Sequence, residues 1–349
     1  MVLLELLVTL AALLTWNLSG MAFRVRDFFL TKTSSLWIQI GLYTVGVSFF
    51  LYLATFLLHF YRGYFLEKTF GLSRQRLRDW VLREAKQGLL SLFLFLLVVE
   101  VGYACLRQAP RFWWLWFGCL WFLMSWGLTQ LFPTVIVPLF YRYGRVEDPR
   151  LVEKLKNFLQ QEGCRLEGIW TINLSKETNK ANAALMGLGR TRRVVLADTL
   201  VKNFSPDEIQ VVVAHEWGHR KCHHLVKSLV SQGGMNLLGF LLIERILHHL
   251  LVPPQYGGLT DLAGLSLFLL VFTLYGVCLL PLQNGLSRFF EREADAYALR
   301  ATHAKQEFVS AMQKLAQRNL AELSPHPLVE FFFYDHPSIG RRIAFAEKF

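Results

Sequence analysis

The feature that most restricts this chain is a series of oily stretches about 20 residues long, the length an α-helix needs to cross a hydrocarbon core. Segments 2–21, 36–60, 88–106, 112–132, 229–252 and 262–283 qualify. Inside a bilayer every backbone N–H and C=O must be bonded internally, so such stretches become helices. The composition agrees, with 53% of residues hydrophobic and only 18% charged, which excludes a disordered chain, a collagen or a coiled coil. Segment 2–21 is weakened by Glu5. Segment 229–252 carries Glu244, Arg245, His248 and His249 near its far end, which either snorkel to an interface or face a wet cavity. Glu100 in the third span is open to two readings as well: it lines an enclosed cavity, or it is one hydrogen-bonded acid between helices.

The formal charge is +11, from 37 Lys and Arg against 26 Asp and Glu. In an oily chain that excess reports an anionic leaflet and loop topology, not nucleic acid. Arg62, Lys68, Arg74, Arg76, Arg78, Arg83 and Lys86 fill the loop after the second span, further cations fill the loop after the fourth, and the tail adds Arg288, Arg292, Arg300 and others. The loop 253–261 has none. Both termini and the loop 141–227 are therefore expected on the cytoplasmic side of a multi-pass membrane protein. The first oily segment has no cation ahead of it and reads as a retained span, not a signal peptide. Five cysteines without a CxxC pair support neither a disulfide framework nor a thiolate metal site.

The expected organisation is a polytopic α-helical membrane protein of six spans with an inserted small α+β domain of the gluzincin type. Residues 1–140 supply four spans and a cytoplasmic loop at 61–87, residues 141–227 the inserted domain, 228–283 two more spans, and 284–349 a helical C-terminal part. Within the insert, Asp148 and Pro149 announce a helix with Leu151, Leu155 and Leu159 on one face, stopped by Gly163. Strand-like runs at 169–174, 183–188 and 193–200 suggest a small antiparallel sheet. Ser205, Pro206 and Glu208 form a capping box that opens the next helix.

That helix contains HEWGH at 215–219. His215 and His219, four residues apart, project from one face and can share a metal ion, while Glu216 is turned toward a neighbouring water. A catalytic zinc takes a third protein ligand. His223 is close in sequence, but one straight helix cannot wrap three residues round a tetrahedral ion. SRFFEREADAYA at 287–298 offers Glu291 as the ligand, with Asp295 one turn on to accept the outer N–H of a ligand histidine. Glu293 lies about 200° round the helix from Glu291 and is the weaker choice.

HEWGH followed by ExxAD among membrane spans resembles the integral-membrane zinc metalloproteases that include CAAX prenyl protease 1. The resemblance extends to EKTFGLSRQ at 67–75, PTVIVPLF at 133–140, ANAALMGLGRTRRVVLADTLV at 181–201, His224 five residues past the second histidine, and DHPSIGRR at 335–342; it covers the chain from about residue 60 onward. It implies that Asn182 and Ala183 present an edge strand to an extended peptide, that His336 stabilises the oxyanion, and that Arg342 pairs with a substrate carboxylate. The plainer alternatives stand beside these: Asn182 as a turn residue, and His336-Pro337 with Arg342 as a helix start with a surface cation. Eukaryotic members have an additional N-terminal span and longer insertions, and a dilysine-type tail is lacking here, which suggests a bacterial or minimal member and leaves prenyl specificity open.

The chemistry expected is peptide hydrolysis with one Zn2+ per chain, held by His215, His219 and Glu291. It lowers the pKa of its water to about 7, and Glu216 is the general base. Substrates are expected to be peptides or proteins, lipidated or membrane-associated, acted on by a monomer in the bilayer without any nucleic-acid partner. A quality-control protease without prenyl preference is the main alternative. A non-hydrolytic metal transporter or scaffold is remote, because it needs no general base and favours span repeats, which are absent.

Overall fold

The computed structural model describes residues 1–164, 166–187 and 192–349. Helix α1 (Val2–Leu18) is followed at a 64° bend by α2 (Met21–Leu30). Gly20, at the bend, has φ of 74°, a left-handed conformation that glycine adopts without a Cβ clash. Helix α3 (Leu36–Phe60) runs through a π-helical turn, Tyr61–Leu66, into the single turn α4 (Glu67–Thr69). Next come α5 (Leu77–Gln108) and α6 (Trp113–Leu131), then α7 (Val137–Phe140) beyond a second π-helical turn. The bend there is 53°, at Pro133, whose backbone has no N–H to give the helix ladder.

The soluble elements follow in order: β1 (Tyr143–Arg145), α8 (Pro149–Gln161), β2 (Gly168–Ile172), β3 (Ala183–Met186), β4 (Arg193–Ala197), α9 (Asp198–Asn203) and α10 (Pro206–Lys221). The long helices α11 (His224–Leu250) and α12 (Gly264–Thr302) come next, then α13 (Lys305–Asn319), α14 (Pro327–Phe333) and α15 (Ile339–Lys348). Among the described residues, four helical segments, Leu36–Thr69, Leu77–Gln108, His224–Leu250 and Gly264–Thr302, are long and apolar enough to cross a membrane, and counting each bent pair as one span makes six.

The chain forms two compact units, and the first comprises Met1–Glu67, Arg76–Ser125 and Leu229–Cys278. Its interior is aromatic: Trp16, Tyr43, Val47, Val99 and Tyr103 form one buried cluster, and Trp113, Phe117 and Phe240 another. Its large apolar side chains also point outward, with Leu57 74% and Leu89 69% exposed, as suits helices solvated by lipid. Glu100 Oε2 is buried without a hydrogen bond among the described residues, and its Oε1 lies toward Gly41 of α3. Glu244 lies near Arg245 and His248.

The second unit comprises Lys68–Gln75, Trp126–Ser228 and Leu279–Phe349. Its core follows the amphipathic pattern of the sequence: Leu151, Leu155 and Leu159 of α8 are buried with Val194 and Leu196 of β4, Ile209 and Val213 of α10, and Phe308 and Met312 of α13. Asp148 caps α8 by accepting from Arg150 N and Leu151 N, and Gly163 beyond its end has φ of 75°. Both reciprocal bonds of the Ser205–Glu208 capping box are present. Glu208 also accepts from Ser310 Oγ and Lys314 Nζ, tying α10 to α13.

Three expectations are corrected. The sheet is mixed, not antiparallel, in the order β1-β2-β4-β3 with β2 and β4 parallel; the short β1 carried too little pattern to be noticed. The run at 193–200 stops being a strand at Ala197, because Asp198 opens α9 and accepts from Ser175 N and Oγ. The run at 183–188 is a strand over Ala183–Met186, and Leu188 falls outside the described residues. Helix α10 stops at Lys221 and α11 begins at His224, with His223 at φ of 56°. Helix α12 runs unbroken across residues 283 and 284, with Pro281 inside it.

Candidate metal centre

The centre is made where α10 passes α12 at close range. Gly218 is the contact: a Cβ there would lie 3.1 Å from Tyr297 Cβ and 3.2 Å from both Cα and the carbonyl oxygen of Ala294. Ala294 and Ala298 are fully buried. Small residues on both helices let the backbones approach, so a histidine pair on one helix reaches a carboxylate pair on the other. In each helix the chemistry-bearing residues are four apart and share a face.

His215 Nε2 and His219 Nε2 stand 3.1 Å apart. Glu291 Oε2 is 3.3 Å from the first and Oε1 is 3.2 Å from the second. These three residues are the metal-binding group found among the described residues, with one ligand atom from each inside a 4.8 Å sphere of mutual distance. Behind His215, Asp295 Oδ1 is 2.8 Å from Nδ1. Behind His219, His224 Nδ1 is 2.9 Å from Nδ1.

Two ring nitrogens and a carboxylate turned on one another at these distances repel unless a proton or cation stands between them. Glu291 Oε2, moreover, is buried with no hydrogen bond among the described residues. A nitrogen, nitrogen, oxygen donor set with an orphaned acceptor fits a divalent ion of zinc character.

Without a cation, protons take that place. Burial opposes charge on His215, but the carboxylates of Asp295 and Glu291 beside it outweigh burial and raise the pKa to about 9. Glu216 is half-buried beside this group and makes no hydrogen bond or ion pair among the described residues; burial pushes its pKa upward against the pull of His215 and His219. His336 is half-exposed, with Nε2 3.2 Å from Glu291 Oε1 and Nδ1 2.8 Å from Asp335. The Asp335 bond, against burial and with help from Glu291, raises the His336 pKa.

Of the residues singled out from sequence, His215, His219, Glu291, Asp295, His336 and Arg342 come together. Arg342, expected to meet a substrate carboxylate, gives both prongs of its guanidinium to Asp295, at 2.8 Å from Nε and 2.6 Å from an η nitrogen. Its side chain is only 11% exposed, because an ionised Asp295 so deeply buried needs a paired cation. Asn182 and Ala183 stand at the start of β3, an edge strand of the sheet that packs on α10. Asn182 O accepts from Ala197 N. Glu293 points away from Glu291 and meets His224 Nε2 at 3.0 Å. Sequence reasoning did not find the Asp335–His336 or Arg342–Asp295 pairs; the only available signal was that each cation has an acidic residue within its motif or its partner motif.

The sequence profile of Peptidase family M48 matches residues 145–349, and that of the CAAX prenyl protease N-terminal region, described as five membrane helices, matches 1–142. The likeness thus begins at residue 1 and not near residue 60. Similar proteins include a Bacillus subtilis protein described as uncharacterized metalloprotease YhfN, 29% identical over 91% of this chain and 78% of its own length. CAAX prenyl protease 1 of Saccharomyces cerevisiae is 28% identical over 82% of this chain and 67% of its own. Among solved structures, Ste24p of S. mikatae superposes with a TM-score of 0.85 at 24% identity, covering 95% of this chain and 84% of that one; at that identity the likeness establishes the fold.

Proposed function

This chain belongs to peptidase family M48, a multi-pass membrane metalloprotease, and on that premise we propose that it cuts peptide bonds with a zinc ion held by His215, His219 and Glu291. The observation that carries the reading is the convergence of those three donors next to an unpartnered Glu216. Zinc, when bound, supplies the Lewis acidity that makes water a nucleophile near neutral pH.

The remaining steps belong to the chain. Glu216, its basicity raised by burial, takes the proton of the attacking water and returns it to the leaving amine. His336, its basicity raised by the bond to Asp335, faces the charge that develops on the carbonyl oxygen. Asp295 orients His215, and Arg342 serves this site by holding Asp295 ionised. The open edge of β3, beginning at Asn182 and Ala183, receives an extended substrate by strand addition.

The substrates are C-terminal or membrane-associated peptides of the CAAX type, a reading supported by the N-terminal match and by relatives described as CAAX prenyl protease 1. A second reading, quality control without lipid preference, draws on the Bacillus subtilis relative, whose description names a metalloprotease and no substrate. The distribution of Lys and Arg supports a cytoplasmic catalytic unit and cytoplasmic termini.

The zinc-loaded chain should be given a prenylated peptide with a free carboxylate, the same peptide without lipid, and an amidated control. Cleavage confined to the first identifies CAAX processing, whereas indifference to the lipid identifies quality control. In the same assay Glu216→Ala should retain one zinc per chain and lose hydrolysis by about 10²- to 10⁴-fold. An undiminished rate would refute the mechanism.

A further inference from the structure

The two histidines of the centre are braced differently, and the second brace uses residues outside the mechanism. His219 turns Nε2 toward His215 and Glu291 and Nδ1 toward His224 Nδ1 at 2.9 Å. His224 meets Glu293 Oε2 through Nε2 at 3.0 Å, and Lys227 Nζ stands 3.6 Å from the same oxygen. The His224 ring is 3% exposed and lies flat on Phe290, with centroids 4.5 Å apart and planes inclined by 16°.

Proton positions follow by elimination. An ionised carboxylate only accepts, so His224 Nε2 carries the hydrogen; a neutral imidazole has one N–H, so His224 Nδ1 accepts. His219 must then donate from Nδ1, and its Nε2 lone pair is left facing His215 and Glu291. That is the tautomer a metal ligand requires. The reverse order would put a proton where the cation has to sit.

The backbone is shaped for this contact. Five residues along a straight α-helix turn through about 500°, leaving His224 roughly 140° away from His219. Here the helix stops at Lys221, and His223, at φ of 56°, swings the chain so that α11 begins with His224 against His219. A side chain other than glycine is disfavoured in that conformation, and the returned histidine gives it a purpose.

We infer that His224 is a positioning residue of the metal centre, with Glu293 behind it, locking His219 in the tautomer and orientation that present Nε2 to the cation. The inference rests on the zinc reading above and extends it to the half of the site that the ExxAD aspartate does not reach. His224→Leu removes both polar contacts, whereas His224→Gln keeps an acceptor for His219 and a donor for Glu293.

The test is the zinc dissociation constant of the purified full chain, by chelator competition, beside the thermal midpoint of the metal-free protein. Zinc should bind His224→Leu about 10- to 100-fold more weakly than the wild type, as expected when the partner behind a ligand is lost, and His224→Gln should recover most of it. Glu293→Gln should fall between them. A His224→Leu affinity within twofold of wild type overturns the inference, and so does a loss that His224→Gln fails to recover, which with a lowered midpoint marks a packing role alone. A wild-type chain that binds no zinc defeats the underlying reading instead, and is told apart by that.

Discussion

The arm behind His215 and the arm behind His219 perform the same task with different materials. His215 leans on a carboxylate that is 2% exposed and bound to a buried guanidinium, so two full charges stand close to the centre out of reach of water. His219 leans on a flat, stacked imidazole, and the charge that polarises it, Glu293, is 36% exposed. The difference teaches that fixing a ligand's tautomer does not require a buried ion pair. A neutral ring can carry the constraint outward to where a carboxylate is solvated cheaply. The buried arm is stiff but unforgiving, because loss of either partner strands a charge.

The largest expected effect follows from that asymmetry. Asp295→Asn should weaken zinc about 100-fold by freeing His215, and should also cost about 3 kcal/mol of folding stability by leaving Arg342 buried without its counter-charge. Chelator competition and thermal unfolding measure the two, and the comparison breaks if the asparagine variant loses affinity without losing stability. Gly218→Ala acts on both arms together. Its methyl group would press on Ala294 backbone atoms 3.2 Å away, part the two helices, and cost about 1–3 kcal/mol. Equal stability in the alanine variant would show that the close approach is not what sets the site.

The smallest effect per step is in pH, and its sign reverses with metal. In the metal-free protein the His215 pKa is raised above the ordinary histidine value of 6.5 to about 9. Its contribution to folding is therefore complete below pH 6.5 and lost as pH rises through 9. Zinc must displace that proton, so its affinity should rise by about tenfold per pH unit up to 9 from this residue alone. Unfolding midpoints of the metal-free form and zinc affinities across that window should move in opposite directions; parallel trends would remove His215 from the account.

Much of the molecule was readable before folding was considered. Oily segments of fixed length prescribe helices, and the caps at Asp148 and Ser205 work through contacts within three residues, so local sequence contains the whole cause. The same holds for His215 and His219, whose common face follows from helical pitch. Hidden features all depend on partners far along the chain. The parallel register of β2 on β4 needs two segments more than twenty residues apart to pair. The persistence of α12 through residue 284 ran against a change from oily to charged composition that looked like a boundary. Most plainly, spacing placed His224 off the face of His219, and a single left-handed residue at 223 put it back.

By itself, then, the amino-acid order determined the spans and the donor pair, because hydropathy dictates the first and the helical period dictates which donors share a face, while the likeness of HEWGH and ExxAD to a metalloprotease family implied the activity. Tertiary structure alone decided what stands behind each donor. Which carboxylate Arg342 pairs with, and whether Glu293 turns toward Glu291 or toward His224, depends on which buried charge lacks a partner once the helices close. That is a property of the packed interior, where an unpaired charge costs several kcal/mol, and no local pattern contains it.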